Sequence, residues 1–464
     1  MFGDLSKEIA SFFEELFRWE ETWAILFIAG VAGAIAVPFI GVNALLQAIL
    51  YFLSLTWWLW LFLLLFFTWR SLWLYWRNEI FKSKIEYALL ELRVPRIMEK
   101  SPQAMEQVLA TLNSFRNTPG NLKEKYWDGA VTRWYTLEMV SFGGEVHLFI
   151  RCPSNMVRVV EAAFFGYYPD MDILGAKDYM ETLPKTLDEV EAKDMEFWGT
   201  EMVLDKEDAY PIKSYKYFES EAEEKQFDPI STFLEVLGKV QKDEILSIQL
   251  LLEPGDPKWK EEWKDLVDEL KQKKTAPASP GEDSTPVMRS PGETDVLKAV
   301  EINLSKPAIK TLIRFVYLAP KTTFYASLAR GAIAAAFNQY SALNLNAFKS
   351  NRDVATSTDM WSKPYLFAKS RLRMRKRRLL FNFLRRDLPP QTEMGHFVAS
   401  TPFSNTKKTK RFHLNLESVA SLFHLPTGVV LTAPHLPRME SRKTGPPAGL
   451  PIYGGEEEIQ KYIQ

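Results

Sequence analysis

The residues best suited to do chemistry form a basic run late in the chain. They are Arg371, Arg373, Arg375, Lys376, Arg377, Arg378, Arg385 and Arg386. A run this dense can neutralise the phosphates of a nucleic acid or the anionic head groups of a membrane leaflet. It can also bind an acidic protein surface, including the 170–235 region of this chain, or form a solvated helix face that only aids solubility. The residue types leave these alternatives open, and we predict a binding site for an anionic partner here.

Sequence motifs for nucleotide, metal or nucleophilic chemistry are missing from the chain. The only Gly-Lys pair is Gly238-Lys239, and no glycine precedes it at Walker A spacing. The five histidines form neither HxxxH nor HExxH, and Cys152 is the single cysteine. We therefore expect a protein that is not an enzyme, with no catalytic residue, no cofactor and no metal.

The elements that must position the basic run begin with a membrane anchor. Residues 22–69 contain no Asp, Glu, Lys or Arg. A membrane helix needs roughly 20 apolar residues, so this run is long enough for two spans. We place them at about 23–40 and 47–69 and predict a transmembrane helical hairpin. The alternative is a buried core hairpin of a soluble protein.

Basic residues after the second span set its orientation. Arg70, Arg77, Lys82 and Lys84 follow that span, and positive residues flank spans on the cytoplasmic side. The protein is therefore predicted to lie in the inner membrane with both termini and its soluble domains in the cytoplasm. Aromatic and basic residues also stand where an interfacial belt would lie. These membrane-interface residues are Trp19, Trp23, Trp69, Arg70, Trp73, Trp76 and Arg77.

Beyond the anchor, the residue pattern predicts an α+β fold. Residues 132–142 and 145–151 alternate like two strands, and Gly143-Gly144 between them is a hairpin turn. A helix at 153–167 and a short strand at 171–174 follow. This β-β-α-β order predicts a cytoplasmic ferredoxin-like split α/β sandwich.

Further elements extend this sandwich and add a second, basic α+β region. We predict strands at 196–204, 212–218, 244–252, 296–304 and 311–318, and helices at 229–240 and 361–386. The whole chain has a net charge of −1, yet residues 287–464 hold 27 Lys and Arg against 12 Asp and Glu. This shift in charge coincides with a stretch rich in Pro, Ser and Thr, which is typical of a flexible linker.

Together these patterns predict six regions. They are an amphipathic N-terminal helix at 1–21, the transmembrane hairpin at 22–79, an acidic α+β domain at 80–274, the linker at 275–293, the basic α+β region at 294–432 and an extended tail at 433–464.

Several strings of residues carry a family resemblance. They lie at 92–96, 99–107, 137–153 and 168–170, with later matches at 248–249, 313–317, 344–348 and 422–426. In these strings the chain resembles an uncharacterised, membrane-anchored family of bacterial genomes, notably of candidate phyla. That family is similar to the N-terminal parts of conjugation and type IV secretion transfer ATPases. Because this chain carries no Walker motif, the resemblance implies an anchor or adaptor for such a motor.

The resemblance and the anchor together give the predicted function. We expect a non-catalytic scaffold of a type IV secretion or conjugation-like machine, bound to the lipid bilayer, to a separate P-loop ATPase and to sister subunits. A homo-oligomer is also expected. The alternative is a membrane-associated protein that binds nucleic acid through the basic helix at 371–386.

Overall fold

The computed structural model describes residues 42–95, 100–218, 227–272, 290–325, 327–357, 367–401, 404–427 and 438–439. The chain divides into two compact units, Met1–Ser71 and Leu72–Gln464. The described part is a mixed α+β structure with one large sheet, which confirms the predicted fold class at this level.

The first described element is a long apolar helix, α1 (Val42–Ser83). It contains no glycine or proline, and its run of Trp, Leu and Phe places apolar side chains on every side. An 18-residue window within Leu46–Ser83 has a mean hydropathy of 2.1 and no buried residue. This helix is therefore long and apolar enough to cross a membrane, by length and composition.

The predicted hairpin is only partly covered by α1. The second predicted span, 47–69, lies within this helix. The first predicted span, 23–40, and the predicted reversal after it lie outside the described residues. One apolar helix is therefore observed, and the two-helix hairpin stays a prediction.

In the described part of the chain, ten strands form the sheet. They are β1 (Tyr87–Pro95), β2 (Tyr135–Phe142), β3 (Glu145–Pro153), β4 (Asp172–Ala176), β5 (Met195–Leu204), β6 (Ile245–Pro254), β7 (Ala308–Pro320), β8 (Phe348–Ser350), β9 (Phe412–Asn415) and β10 (Arg438–Met439). Their order is β10-β1-β3-β2-β6-β7-β5-β8, with β4 also beside β1 and β9 also beside β7. The β1–β10 pair is parallel and the other pairs are antiparallel. Gly143 and Gly144 form the predicted β2–β3 turn, with φ of 60° and 95°.

Strand β7 joins the two predicted α+β regions. It follows the 275–293 stretch in the chain, yet it pairs with β6 on one side and with β5 and β9 on the other. Residues 80–274 and 294–432 therefore share one sheet, which differs from the expectation of a sandwich followed by a second region. The physical reason is that β6 alone would leave a long apolar edge without backbone partners.

Helices cover both faces of the sheet. They are α2 (Pro102–Ser114), α3 (Val157–Tyr167), α4 (Leu187–Ala192), α5 (Ile230–Gly238), α6 (Lys264–Gln272), α7 (Pro291–Ser305), α8 (Ala334–Asn338), α9 (Ala368–Arg385), α10 (Glu393–Ala399) and α11 (Leu416–Leu422). Helices α2, α3, α5, α8 and α11 pack into the main core on one face, which we call the apolar face. Helices α4 and α9 pack on the other, which we call the polar face.

Two predicted strands are not strands. Residues 296–304 lie in α7, where a capping box joins Ser290 and Glu293 through reciprocal side-chain to backbone hydrogen bonds. The buried residues of this helix recur at helical spacing. The strand was predicted from the apolar content of the segment, which does not distinguish a strand from a buried helix. Residues 212–218 contain a short 3-10 turn at Tyr215–Tyr217.

Candidate functional site

Helix α9 carries the basic run and ends on an unusual residue. Arg386 follows its last turn with φ 51°, a left-handed conformation that helix ends usually give to glycine. The N–H groups of Arg386 and Asp387 donate to the carbonyls of Phe383 and Asn382, which completes the helix end. A residue with a Cβ pays roughly 1–2 kcal/mol for this conformation, so side-chain contacts must offset it.

The Arg386 side chain supplies those contacts. Its Nε and Nη2 donate to Glu138 at 2.6 and 3.0 Å, and its Nη1 and Nη2 donate to Asp178 at 2.6 and 3.0 Å. Arg386 and Glu138 are buried, while Asp178 is about one-third exposed. Burial alone would lower the pKa of Arg386, but Glu138 and Tyr179 raise it well above its ordinary value. This predicted anion-binding residue is therefore an internal cation that ties α9 to the sheet.

Glu138 belongs to a row of polar side chains across four adjacent strands of the sheet. Glu138 on β2 lies opposite Gln249 on β6. Gln249 lies opposite Arg314 on β7, and Arg314 lies opposite Glu201 on β5. All four are buried, and Nη2 of Arg314 donates to Oε1 of Glu201 at 3.0 Å. We call these four residues the polar row.

The polar row also holds the end of α9. Nη1 of Arg314 donates to the carbonyl of Asn382 at 2.9 Å, and Nε2 of Gln249 donates to that of Phe383 at 3.4 Å. These two carbonyls already accept from the N–H groups of Arg386 and Asp387, and the side chains of Arg314 and Gln249 add a second hydrogen bond to each. The C-terminal end of α9 is therefore fixed on the polar face.

Two other cations of α9 contact the acidic 170–235 region of this chain. Arg373 pairs with Asp188 at 2.6 Å, and Lys376 pairs with Glu196. Together with the Arg386–Asp178 pair, these contacts show α9 bound to an acidic surface of the same protein. This is one of the alternatives that the sequence leaves open.

Three further cations of the run are turned inward. Arg371 is buried. Nη1 of Arg375 donates to three backbone carbonyls of the segment after β8, at 3.2–3.3 Å. Nη1 of Arg378 donates to the carbonyls of Ala399 and Ser404 at 2.8 and 3.0 Å. Burial lowers the pKa of both Arg375 and Arg378 from the ordinary arginine value.

The remaining two cations, Arg377 and Arg385, line a cavity of about 510 Å³. Both are exposed, and within the described ranges neither forms a hydrogen bond or an ion pair. The guanidinium of Arg385 lies 5.0 Å from the ring centre of Phe381. Of the predicted binding residues, these two are the ones whose charge faces open space and not the protein itself.

Other charged residues complete the cavity wall. Lys185 and Arg378 add two cations, and Glu79 and Asp387 add two carboxylates. Sequence reasoning missed Lys185 because a single lysine before α4 carries no pattern. It missed Glu79 because this residue was assigned to the predicted anchor.

The predicted membrane-interface residues fall in both units. Trp19 and Trp23 lie outside the described residues. Trp69 and Arg70 belong to the first unit and are exposed, and their interfacial position stays a prediction. The remaining three, Trp73, Trp76 and Arg77, belong to the second unit.

Within the second unit these three residues form an aromatic cluster with Trp127. Nε1 of Trp73 donates to the carbonyl of Tyr126 at 2.7 Å, and the Trp73 and Trp127 ring centres are 6.3 Å apart. The guanidinium of Arg77 lies 5.9 Å from the ring centres of both Trp73 and Trp76. Trp127 was not singled out from the sequence, where its only signal is a large aromatic residue in a charged stretch.

Other groups able to do chemistry are tied up in the fold. Among the described residues, no group of three or more His, Cys, Asp or Glu could hold a metal ion. Burial raises the pKa of the Cys152 thiol to about 12, which keeps it protonated at neutral pH. Nδ1 of the buried His424 lies 2.8 Å from the Ala420 carbonyl, and its Nε2 lies 2.7 Å from Oδ1 of Asp228. Both ring nitrogens are thus engaged within the fold.

Comparison with known proteins adds no family to this geometry. No protein-family model matches the chain, and no curated protein matches it in sequence. The resemblance drawn from the residue strings therefore stays a prediction.

Proposed function

We propose that this protein is a membrane-anchored, non-catalytic scaffold whose α+β body docks a separate P-loop ATPase of a type IV secretion or conjugation-like machine. In this proposal it crosses the inner membrane twice, its termini and body lie in the cytoplasm, and further copies and sister subunits assemble with it. The residue strings support the choice of partner, and α1 supports the anchor.

The exposed apolar surface of α1 is the observation that carries the proposal. Trp57, Phe62 and Leu64 are each about 60% exposed, like most of their neighbours in this helix. Removing one such side chain from water contributes roughly 1.5–3 kcal/mol, so a whole helix of them strongly favours a bilayer over water. From Leu72 on, the same helix belongs to the second unit.

The anchor is tested by adding charge to α1. Replacing Leu61 and Leu64 together by lysine adds about 3 kcal/mol of insertion cost for each charge near the middle of a span. We expect the variant to be released from membranes by alkaline carbonate while the wild type stays bound. Leu343→Lys is the control, because Leu343 is fully exposed on the body. A wild-type chain that is soluble without detergent contradicts the anchor.

Docking is tested by cross-linking in membranes followed by mild detergent extraction and mass spectrometry. We expect a P-loop ATPase to be recovered with the full-length wild type, and much less with the doubly charged α1 variant. Recovery of no such ATPase by the wild type contradicts the scaffold proposal even if the anchor holds.

The nucleic-acid alternative has less support from α9. Six of the eight predicted binding residues are buried or contact other parts of this chain, which leaves Arg377 and Arg385 for a partner. Two cations neutralise few phosphates, so the salt dependence of any DNA binding would be shallow, with a slope of about −2. Tight, steeply salt-dependent binding to the full-length protein would restore this alternative.

A further inference from the structure

We infer that the cavity beside α9 binds the phosphate head group of an anionic lipid. The inference deepens the proposed function, because the membrane supplies the ligand, but it does not depend on the ATPase partner. It rests on four properties of the cavity: free cations, carboxylates that are engaged by a lysine outside the cavity, a guanidinium held in place by the backbone, and an apolar wall.

The free cations come first. Arg377 and Arg385 both reach the cavity and, within the described part of the chain, neither is paired with a carboxylate. Lys185 joins them and uses one of its three donors on the Met180 carbonyl, at 2.5 Å. Two guanidinium forks and an ammonium provide the charge and the donor geometry that a phosphate requires.

The two carboxylates of the wall do not cancel this charge. Lys82 lies 3.0 Å from Oε1 of Glu79 and 3.6 Å from Oδ1 of Asp387. Both acids are therefore engaged by one lysine that is not itself part of the cavity wall. The cavity keeps an excess of positive charge.

Arg378 adds a further cation to the cavity wall. Its Nη1 donates to the carbonyls of Ala399 and Ser404, at 2.8 and 3.0 Å, so the backbone holds its guanidinium in place. This charge is not paired with a carboxylate in the described part of the chain, and it adds to the attraction of the cavity for a phosphate.

The remaining wall is apolar, and this selects an amphiphile over a bare anion. Met374, Leu380, Phe381 and Pro389 line the cavity, and Phe381 is half exposed. The volume of about 510 Å³ is that of a small-molecule site and exceeds what a phosphate ion alone would fill. A phospholipid head group with its first methylene groups covers both the charged and the apolar parts.

The position of the cavity in the chain points to the same source. Tyr75 and Glu79 of α1 line it. They follow closely in sequence after Trp69 and Arg70, which are predicted to lie at the membrane interface. Lipid head groups are the phosphates most concentrated where a span leaves the bilayer, and part of the cavity wall follows the predicted span closely in the chain.

The test uses the full-length protein in a neutral detergent, with lipid binding followed by native mass spectrometry. The probes are short-chain phosphatidylglycerol, the zwitterionic phosphatidylcholine with the same chains, and inorganic phosphate. The cavity variant carries Arg377→Gln and Arg385→Gln. The matched control carries Lys369→Gln and Arg373→Gln, which remove the same charge from exposed positions of α9 that do not line the cavity.

We expect the wild type to bind phosphatidylglycerol at least about tenfold more tightly than phosphatidylcholine, since two charge-assisted contacts are at stake. The cavity variant should lose about tenfold in affinity, and the control should stay within about twofold of the wild type. Equal losses in both variants, or equal binding of both lipids, would overturn the inference. Binding of inorganic phosphate as tight as that of phosphatidylglycerol would also overturn it, because the ligand would then be a soluble phosphate.

This readout is separate from the tests of the proposed function. Lipid binding in detergent requires neither membrane insertion nor an ATPase. A negative lipid result with intact carbonate resistance rejects only the cavity inference, whereas a soluble wild-type chain rejects the anchor.

Discussion

Both faces of the central sheet pack helices on buried apolar residues, but the polar face also holds the end of α9 through buried charged and amide side chains. On the apolar face, residues such as Leu137 and Ile248 pack under five helices in a continuous core. On the polar face, the residues next to them in sequence are Glu138 and Gln249, and the polar row fixes the end of α9 through hydrogen bonds. Apolar contacts depend on volume and have little direction, whereas buried ion pairs and hydrogen bonds require one geometry. We infer that the first face supplies most of the stability and that the second sets the position of α9.

The largest effect is expected where the polar face would lose its central cation. Arg386→Met leaves Glu138 buried without its partner, which should lower the free energy of unfolding by about 3–5 kcal/mol. Denaturant titration in detergent, followed by tryptophan fluorescence, measures this. Adding Glu138→Gln removes the unpaired charge and should recover part of the loss. If the double variant were as unstable as the single one, the unpaired charge of Glu138 would not be the cause of the lost stability.

On the apolar face, the free energy of unfolding should depend on side-chain volume and not on charge. Leu250, buried in the main core, is the test position. Leu250→Ala leaves a cavity and should cost about 3 kcal/mol, whereas Leu250→Met keeps the volume and should cost less than about 1.5 kcal/mol. The same denaturant titration measures both. Equal costs for the two variants would mean that this face is as geometrically demanding as the polar one.

The buried contact between Asp228 and His424 extends the comparison to the dependence of stability on pH. Burial would raise the pKa of Asp228, but His424 and the hydrogen bonds from Thr427 lower it to about 2. An unfolded aspartate has a pKa of about 3.9, so this group contributes roughly 2 kcal/mol at neutral pH. That stability is present above about pH 4 and is lost as the pH falls towards 2.

The measurement is the free energy of unfolding between pH 6 and pH 3 for the wild type and Asp228→Asn. The variant should be less stable at pH 6 and should show a smaller decrease in acid, because it has no carboxylate to protonate. Parallel pH curves for the two proteins would contradict this role for Asp228.

The smallest effect is expected at the exposed edge of the polar face. Arg373 and Asp188 form an ion pair, but both side chains are more than half exposed. Arg373→Gln should therefore change the free energy of unfolding by less than about 0.5 kcal/mol, and added salt should remove the difference. A loss as large as that of Arg386→Met would show that exposed pairs, too, determine the position of α9.

The sequence predicts those parts of the fold whose signals are local. The β2–β3 hairpin is one, because Gly143-Gly144 and the alternation around it lie within about 20 residues. The polar row is not predictable in this way. Glu138 and Gln249 alternate with apolar residues, which is the pattern expected of positions that face solvent. Arg386, the cation that pairs with the buried Glu138, lies 248 residues further along the chain. The apolar residues of α7 predict a strand, which is wrong. The capping box of this helix is visible in the sequence, but it begins at Ser290, which falls in the predicted linker.

The sequence predicts where the basic residues lie but not which of them face the protein. The density of cations predicts a basic helix at 371–386, and α9 is that helix. Which cations turn inward depends on the rotation of the helix against the sheet, and that rotation is set by Arg314 and Gln249 at its end. Only the structure could therefore separate Arg377 and Arg385 from the other six.

The central place of β7 has a consequence for how the chain is made. Strand β6 leaves the ribosome well before β7. During this interval one long edge of β6 has no strand to pair with, and it becomes paired only when residues 308–320 have been synthesised. Chaperone protection during this interval should matter more here than for a sheet built from neighbouring hairpins. For the same reason, two polypeptides divided between β6 and β7 and expressed together should reassemble, since each supplies strands that the other lacks.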